Sequence, residues 1–561
     1  MGLFSTLNIG SRGLFASQLA MDVAGQNIAN ADVEGYSRKR LNLQTDYRYD
    51  GLYGQVGMGV DVVNIERVRN SFIDDQIRRQ NQEVGTYDEI NTTLTSIENI
   101  LSEPSDTGLV TYIDEFFDSW QNLSNNPSDL SARTMVKTNA EILSDVFHNI
   151  SGELTNLRLT RNDEIIQRMN KVNEYCKEIY NLNLEIGAVE IGNQNANDSR
   201  DRRDLVLKEL SKLIDITTVE NEMGQITITS DGNILVSPVH YQELETTTGS
   251  VRLPDQSTIT EVSLRLANSK RLYNPQSGQI AGLIESRDSI IPQYQNQLDT
   301  LARSIVESVN NLHAQGFTLD GISGITFFDE DVTGASDINL SASINSNLRN
   351  IAAASGGDAY PAVQNILASG NHDFENPAVQ LVRDPAAIPP VNARNIIQGS
   401  VIARSPSRIL VEGDDYYINY TDGTFQLLNN DPALETANLT LDFQYRTTGF
   451  SGPGNNSNAV AIAGLRSDLV MNPDVLGNGT TTFTEYYSSV IGNLGLSCNE
   501  ADSNLKTREY LISQYEAHQD SIAGVSLDEE MADLIKYQHT YQAAARLIST
   551  TNEMLDVLMN M

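Results

Sequence analysis

SLDEEMADLIKYQHTYQAAARLISTTNEMLDVLMNM, residues 526–561, closes the chain and decides how it is organised. Steps of four and three from Leu527 fall on Met531, Leu534, Gln538, Tyr541, Ala545, Ile548, Asn552, Leu555 and Met559, a spacing that keeps one seam on one side of a helix. Eight of these ten positions are apolar or aromatic, so the stretch reads as a helix with a stripe that needs a partner. Ser526 is placed to cap its first turn. Asp528, Glu529 and Glu530 stand where the positive end of the helix dipole favours carboxylates. No proline interrupts it, and at ~1.5 Å per residue the rod runs to about 50 Å.

The matching stripe lies at the other end of the chain. Leu3, Leu7, Gly10, Leu14, Ser17, Met21, Ala24 and Ile28 follow the same alternation, with large residues at Leu7, Leu14, Met21 and Ile28 and small ones between. Small side chains let a second helix approach closely. Residues 1–30 carry only Arg12 and Asp22 as charges, which predicts a helix surrounded by other helices. Heptad spacing leaves open whether the groove is filled by this chain or by a neighbouring subunit. With so little charge to stabilise them alone, both ends are expected to be disordered in the isolated chain and to order on assembly.

After residue 30 the run Asn27, Asn30, Gly35, Tyr36 and Ser37 predicts a polar turn, followed by alternating extended segments at 36–47 and 55–68. The glycines of GLYGQVGMGV fit neither a dinucleotide nor a P-loop spacing and predict a hairpin. Helical periodicity runs from 70 to 102, stopped by Pro104, and again from about 131 to 192. DRRDLVLKELSKLIDI predicts an amphipathic helix, and ITTVENEMGQITITSDGNILV a hairpin with its turn at SDGN. Strands extend to about residue 268. Helix resumes at 277–316, with Pro292 marking a kink or break.

GQNIANADVEGYSRKR at 25–40 resembles the signature near the amino terminus of bacterial flagellar axial proteins, and 524–559 resembles their carboxy-terminal signature. With the segment SRDRRDLVLKELSKLIDI at 199–216, the chain resembles the flagellar hook-associated protein 1 family, whose members join hook to filament. The resemblance covers about residues 1–355 and 455–561. It implies a structural subunit, assembled in a ring with other copies of itself between the hook subunit and the second hook-associated protein, and held before export by a chaperone. It also implies secretion through the flagellar export apparatus to an extracellular flagellum. A rod or hook axial subunit shares the end signatures, but the long helices at 70–192 and 276–315 tell against it. The residues expected to carry assembly are Leu7, Leu14, Met21, Asn27, Ile28, Asn30, Gly35 and Tyr36 at one end, and Leu527, Met531, Leu534, Tyr541, Ile548 and Leu555 at the other.

The expected fold is α+β and multidomain, a long helical shaft built from both chain ends. Residues 1–65 and 520–561 form a terminal assembly unit; 66–215, 272–355 and 455–519 form the shaft; 216–271 form a small β domain. Residues 356–454 hold eight of the 15 prolines and lose helical periodicity, which predicts an inserted β-rich surface domain between two halves of one family segment. An adhesin or enzyme acting through this insert is the reading of a different class.

Composition narrows the function. At 561 residues the chain exceeds a single core, and its net charge of −36 argues against nucleic acid, which needs clustered Lys and Arg. Cys176 and Cys498 lack CxxC spacing and read as free thiols, with a single bridge left open. The amino terminus lacks signal-peptide character, and nothing reaches the roughly 18 apolar residues of a membrane span. His148, His240, His313, His372, His518 and His539 form no metal-ligand spacing, and no nucleophile motif is present. Glu412, Asp414 and Asp415 lack the twelve-residue calcium loop and read as a solvated turn. No catalytic residue, metal or cofactor is expected.

Overall fold

A computed structural model of the chain describes residues 3–559, apart from 46–47, 52–53, 102–107, 193, 253–257, 356–358, 367–378, 381, 385–390, 393–395, 397–400, 407, 413–414, 420–423, 429–438, 447–451 and 473–478. The fold is α+β, dominated by long helices. Helix α1 (Leu3–Ala29) is followed by strands β1 (Lys39–Thr45) and β4 (Val60–Arg67), antiparallel with a bulge at Asn42/Leu43. Between them β2 (Arg48–Gly51) and β3 (Gly54–Gly57) form the hairpin expected from the glycine-rich run.

The shaft follows: α2 (Ser71–Leu101), α3 (Leu109–Asn125), α4 (Leu130–Glu190) and α5 (Asn197–Leu213). Strands β5 (Thr217–Glu220), β6 (Ile226–Ser230) and β7 (Asn233–Val236) form one sheet in that order, and β8 (Leu244–Arg252) pairs with β9 (Thr258–Leu266). Helix α6 (Gln279–Glu285) passes through a π-helical turn at Ser286–Ile290 into α7 (Ile291–Gln315), so the irregularity expected at Pro292 lies just before the proline. After the short α8 (Ala342–Ser346) and the insert come α9 (Ser457–Gly464), α10 (Phe483–Ala523) and α11 (Leu527–Met559).

Three separate groups of buried apolar side chains hold this together. The first packs α3, the amino-terminal part of α4, α7 and α10 around Phe116, Trp120, Phe147, Phe327 and Phe328, with Phe117 stacked on Phe483 at 5.8 Å. The second joins the rest of α4, α5 and α6 to the sheet face carrying Ile226, Ile228, Leu235 and Val236. The third belongs to the insert, whose strands β10 (Ala359–Ile366) to β17 (Leu439–Arg446) enclose Ala403, Phe425, Leu441 and Phe443. The stems of the insert meet where Asn458 Nδ2 donates to Ala352 O at 2.7 Å and Ser355 N to Asn455 Oδ1 at 2.9 Å. Nearly a hundred residues are thus looped out between two segments that pack as one. Both cysteines are free, and burial pushes the Cys176 thiol up to about 12.

Candidate assembly site

α1 and α11 lie antiparallel against each other, Gly10 facing Ala544, Leu547 and Ile548 while Asn27 reaches Glu530. The approach is close because α1 presents small residues there. Ala16, Ala20 and Ala24 are buried one turn apart, and a Cβ on Gly10 would stand 2.8 Å from Ile548 Cγ1. Each helix supplies part of the other's partner. Leu7, Leu14, Met21, Ile28, Leu534, Tyr541, Ile548 and Leu555 are half-buried, whereas Leu527 and Met531 are exposed. Phe4, Phe15, Ile535, Met554 and Val557 also keep more than half of their surface open. One seam is closed within the chain, and a second apolar surface points away from it.

Where this rod meets the shaft, Asn27 is the central residue. It is 1% exposed, and its amide is fully used. Its Oδ1 accepts from Lys39 N at 2.9 Å and from Tyr36 OH at 2.8 Å; its Nδ2 donates to Lys39 O at 2.9 Å and to Glu530 Oε2 at 3.0 Å. Two donors and two acceptors on one flat group are what an amide alone provides among short side chains. Arg38 Nε donates to the other oxygen of Glu530 at 2.7 Å, Arg38 Nη1 to Glu529 at 3.1 Å, and Arg38 N to Ala523 O at 3.2 Å. The start of α11 is thereby fastened to the end of α1. Burial, followed by Asp201, Asp198 and Glu530, pushes the Tyr36 hydroxyl up to about 12, so it stays protonated and donating.

A second tier fastens the turn to α5 and α2. Arg67 Nη1 bridges Asp201 at 2.8 Å and Asp204 at 2.9 Å, while Arg69 reaches Asp74 at 2.8 Å and Asp204 at 3.2 Å. Ser37 N donates to Asp201 at 3.3 Å, and Lys39 pairs with Asp198. Burial opposes ionisation of Asp204, but Arg69, Arg67 and Arg203 outweigh it and hold the carboxyl below its usual range. Asn30 terminates α1 by donating its side chain to Gln26 O at 2.8 Å. Gly35, at φ 81°, lies over Leu205, so the turn needs glycine there. Behind the turn a cleft of about 410 Å³ opens between residues 31–37, α5 and the ends of α2 and α10.

Asn27, Asn30, Gly35 and Tyr36 thus meet at one joint, while the eight half-buried seam residues lie along the rod. Arg38, Arg67, Arg69, Asp201 and Asp204 were not singled out from sequence, and Glu530 was read there only as a first-turn carboxylate. The signal for Glu530 was masked, since a carboxylate in the first turn of a helix is ordinary. Among the described residues no cluster of His, Cys, Asp or Glu could hold a metal, and no helix is long and apolar enough to cross a membrane. Asp415 is tied to Arg408 at 2.7 Å and to Val411 N at 2.8 Å; Asp414 and His372 lie outside the described residues.

Comparison with known proteins bears on the whole length. Residues 94–328 match the model of the flagellar hook-associated protein FlgK helical domain, 520–561 that of the flagellar basal body rod FlgEFG protein C-terminal region, and 7–36 that of the flagella basal body rod protein. Flagellar hook-associated protein 1 of Bacillus subtilis is 26% identical, with 99% of this chain and 98% of the relative aligned. The proteins of the same name from Salmonella typhimurium and Escherichia coli are each 25% identical over 99% of both chains. Among solved structures, the flagellar hook junction protein FlgK from Burkholderia pseudomallei superposes with a TM-score of 0.55 at 18% identity, over 80% of this chain and all of that one.

Proposed function

Because the chain belongs to the flagellar hook-associated protein 1 family, we propose that it is a structural subunit of the bacterial flagellum that forms the junction between hook and filament through its terminal helices. The observation that carries the assembly reading is the α1–α11 rod. It is locked to the shaft by a buried polar joint, yet it leaves Phe4, Phe15, Met531, Ile535, Met554 and Val557 uncovered. Open apolar surface of this kind marks a site of association. In the assembled flagellum the rods of neighbouring copies cover one another, which closes them into a ring. The half-buried residues Leu7, Leu14, Met21, Ile28, Leu534, Tyr541, Ile548 and Leu555 line the grooves between them, with Leu527 and Met531 at the rim.

The partners on either side are the hook subunit and the second hook-associated protein. The same open stripe explains why an export chaperone would hold α11 before secretion through the flagellar export apparatus. The mature subunit works outside the cell as a structural part, with no catalytic role. The insert at 356–454 projects from the shaft as a knob, where it disturbs packing between copies least. The test is to add the purified chain to isolated hooks and image them by electron microscopy. A short cap of fixed length on one end supports the junction assignment; no binding, or growth into long tubes, rejects it.

A further inference from the structure

The two apolar bodies of the shaft have no residue in common. Along α4 the first ends at Leu154 and the second begins at Ile165, and the buried positions between them are Arg158, Arg161 and Asn162. Asn162 Oδ1 accepts from Val262 N at 2.8 Å and from Arg287 Nη1 at 3.0 Å. Arg161 pairs with Glu164 at 2.6 Å and lies 3.9 Å from Glu89 of α2; Arg158 pairs with Glu261 at 2.7 Å. The belt is incompletely satisfied: the Nε atoms of Arg158 and Arg161 and the buried hydroxyl of Ser286 have no hydrogen-bond partner.

One backbone irregularity lies at the same level. Ser286 and Arg287 belong to the π-helical turn, a place where a helix is short of regular hydrogen bonds and bends. α4 runs unbroken through the Ser151–Gly152 pair at the end of the first body, and α10 carries Gly492 and Gly495 on either side of Leu494. α10 runs antiparallel to α2, with Arg508 beside Gln80 and Gln519 beside Asp74, which sets those two glycines alongside the turns of α2 that follow Glu89. A Cβ on Gly152, Gly492 or Gly495 would meet nothing within 4 Å. Packing does not require glycine at these three positions, and glycine lowers the resistance of a helix to bending. By contrast, Gly85 and Gly282 are held by close backbone contacts, 2.2 Å to Lys212 O and 2.5 Å to Thr86 O for an added Cβ.

We infer that the shaft bends at this belt, with the apolar bodies on either side moving as rigid units. Close-packed apolar cores resist deformation, whereas a polar layer with donors beyond those its bonds use has alternative pairings open to it as it shifts. The inference concerns the shaft alone and does not depend on where the chain assembles.

The test uses the full chain with Cys498 replaced by serine and spin labels introduced at Asp145→Cys and Lys177→Cys, exposed positions on either side of the belt. Pulsed dipolar spectroscopy gives the distance distribution between them. The expected result is a distribution wider than that of the pair Thr134→Cys and Asn149→Cys within the first body, narrowing by at least a third in the Gly152→Ala, Gly492→Ala, Gly495→Ala variant. A distribution across the belt as narrow as the control, or one unchanged by the three alanines, overturns it. Hydrogen exchange on the unmodified chain is independent of labelling. Amides at 157–165 and 286–291 should exchange at least tenfold faster than those at 143–154 and 169–182, and equal protection would also overturn the inference.

Discussion

Replacing Asn27 by aspartate keeps the shape of the side chain and changes only what it offers. The two bonds to Oδ1, from Lys39 N and Tyr36 OH, survive. The other two become contacts between acceptors, since the new oxygen faces Lys39 O and the carboxylate of Glu530 where Nδ2 stood at 2.9 and 3.0 Å. A buried polar atom without a partner costs about 1–3 kcal/mol. Two such contacts, one against a carboxylate, give about 3 kcal/mol for the docking of α11 at neutral pH. That is roughly a hundredfold in the opening equilibrium. The repulsion raises the pKa of the introduced carboxylate, so the folded state binds a proton more readily than the unfolded one. The penalty is therefore largest near pH 7 and shrinks as pH falls toward the ordinary carboxylate range. Asn27→Ala lacks that dependence. Native-state hydrogen exchange of the first turns of α11, read as a wild-type difference at pH 7.5 and pH 4.5, measures both quantities. A loss of protection below tenfold, or an equal loss for aspartate at both pH values, would refute the assigned role of the amide.

Other consequences are as direct. His313 is fully buried, with Nδ1 2.6 Å from Ile325 O and Nε2 accepting from Ala352 N at 2.8 Å; burial, with a smaller push from Arg133, lowers its pKa from 6.5 to about 4. The stability carried by the neutral ring is complete above pH 6.5 and is lost as pH falls toward 4, about 3 kcal/mol in all. Urea unfolding at pH 7 and 4.5 should show this loss, and His313→Gln should flatten it. Gly85→Ala drives a methyl to 2.2 Å from Lys212 O and should cost about 3 kcal/mol in urea unfolding, while Gly25→Ala, with nothing within 4 Å, should be neutral or stabilising by up to about 1 kcal/mol. Leu14→Asp or Ile548→Asp should abolish addition to hooks while leaving the unfolding midpoint of the shaft unchanged. Normal addition would remove these residues from the interface.

Much of the architecture was legible because it rests on local periodicity. α1, α2, α4 and α11 begin and end within a few residues of where apolar spacing, Pro104 and Ser526 place them. α3 was not anticipated, although Leu109, Ile113, Phe116, Phe117, Trp120 and Leu123 recur at helical spacing; its aromatic side chains pack with Phe327, Phe328 and Phe483 in the first core. The joint was only half legible. Asn27, Gly35 and Tyr36 stand in one short run, but Arg67 and Asp201 are 134 residues apart, and nothing local in DRRDLVLKEL separates a carboxylate that ties domains from one that faces water. The direction of the seam was also beyond periodicity. A heptad predicts a filled groove, and only the three-dimensional approach at Gly10 shows that the chain's own second helix fills part of it.

The most direct test of the account is an electron cryomicroscopy map of hooks capped by this chain. The account predicts the α1–α11 rods side by side in the innermost layer of the cap, with Phe4, Phe15, Ile535 and Met554 buried between copies and Asn27 still bonded to Glu530 at the joint. Rods lying at the outer surface, or a cap held together through the insert at 356–454 with the rods uncovered, would contradict it.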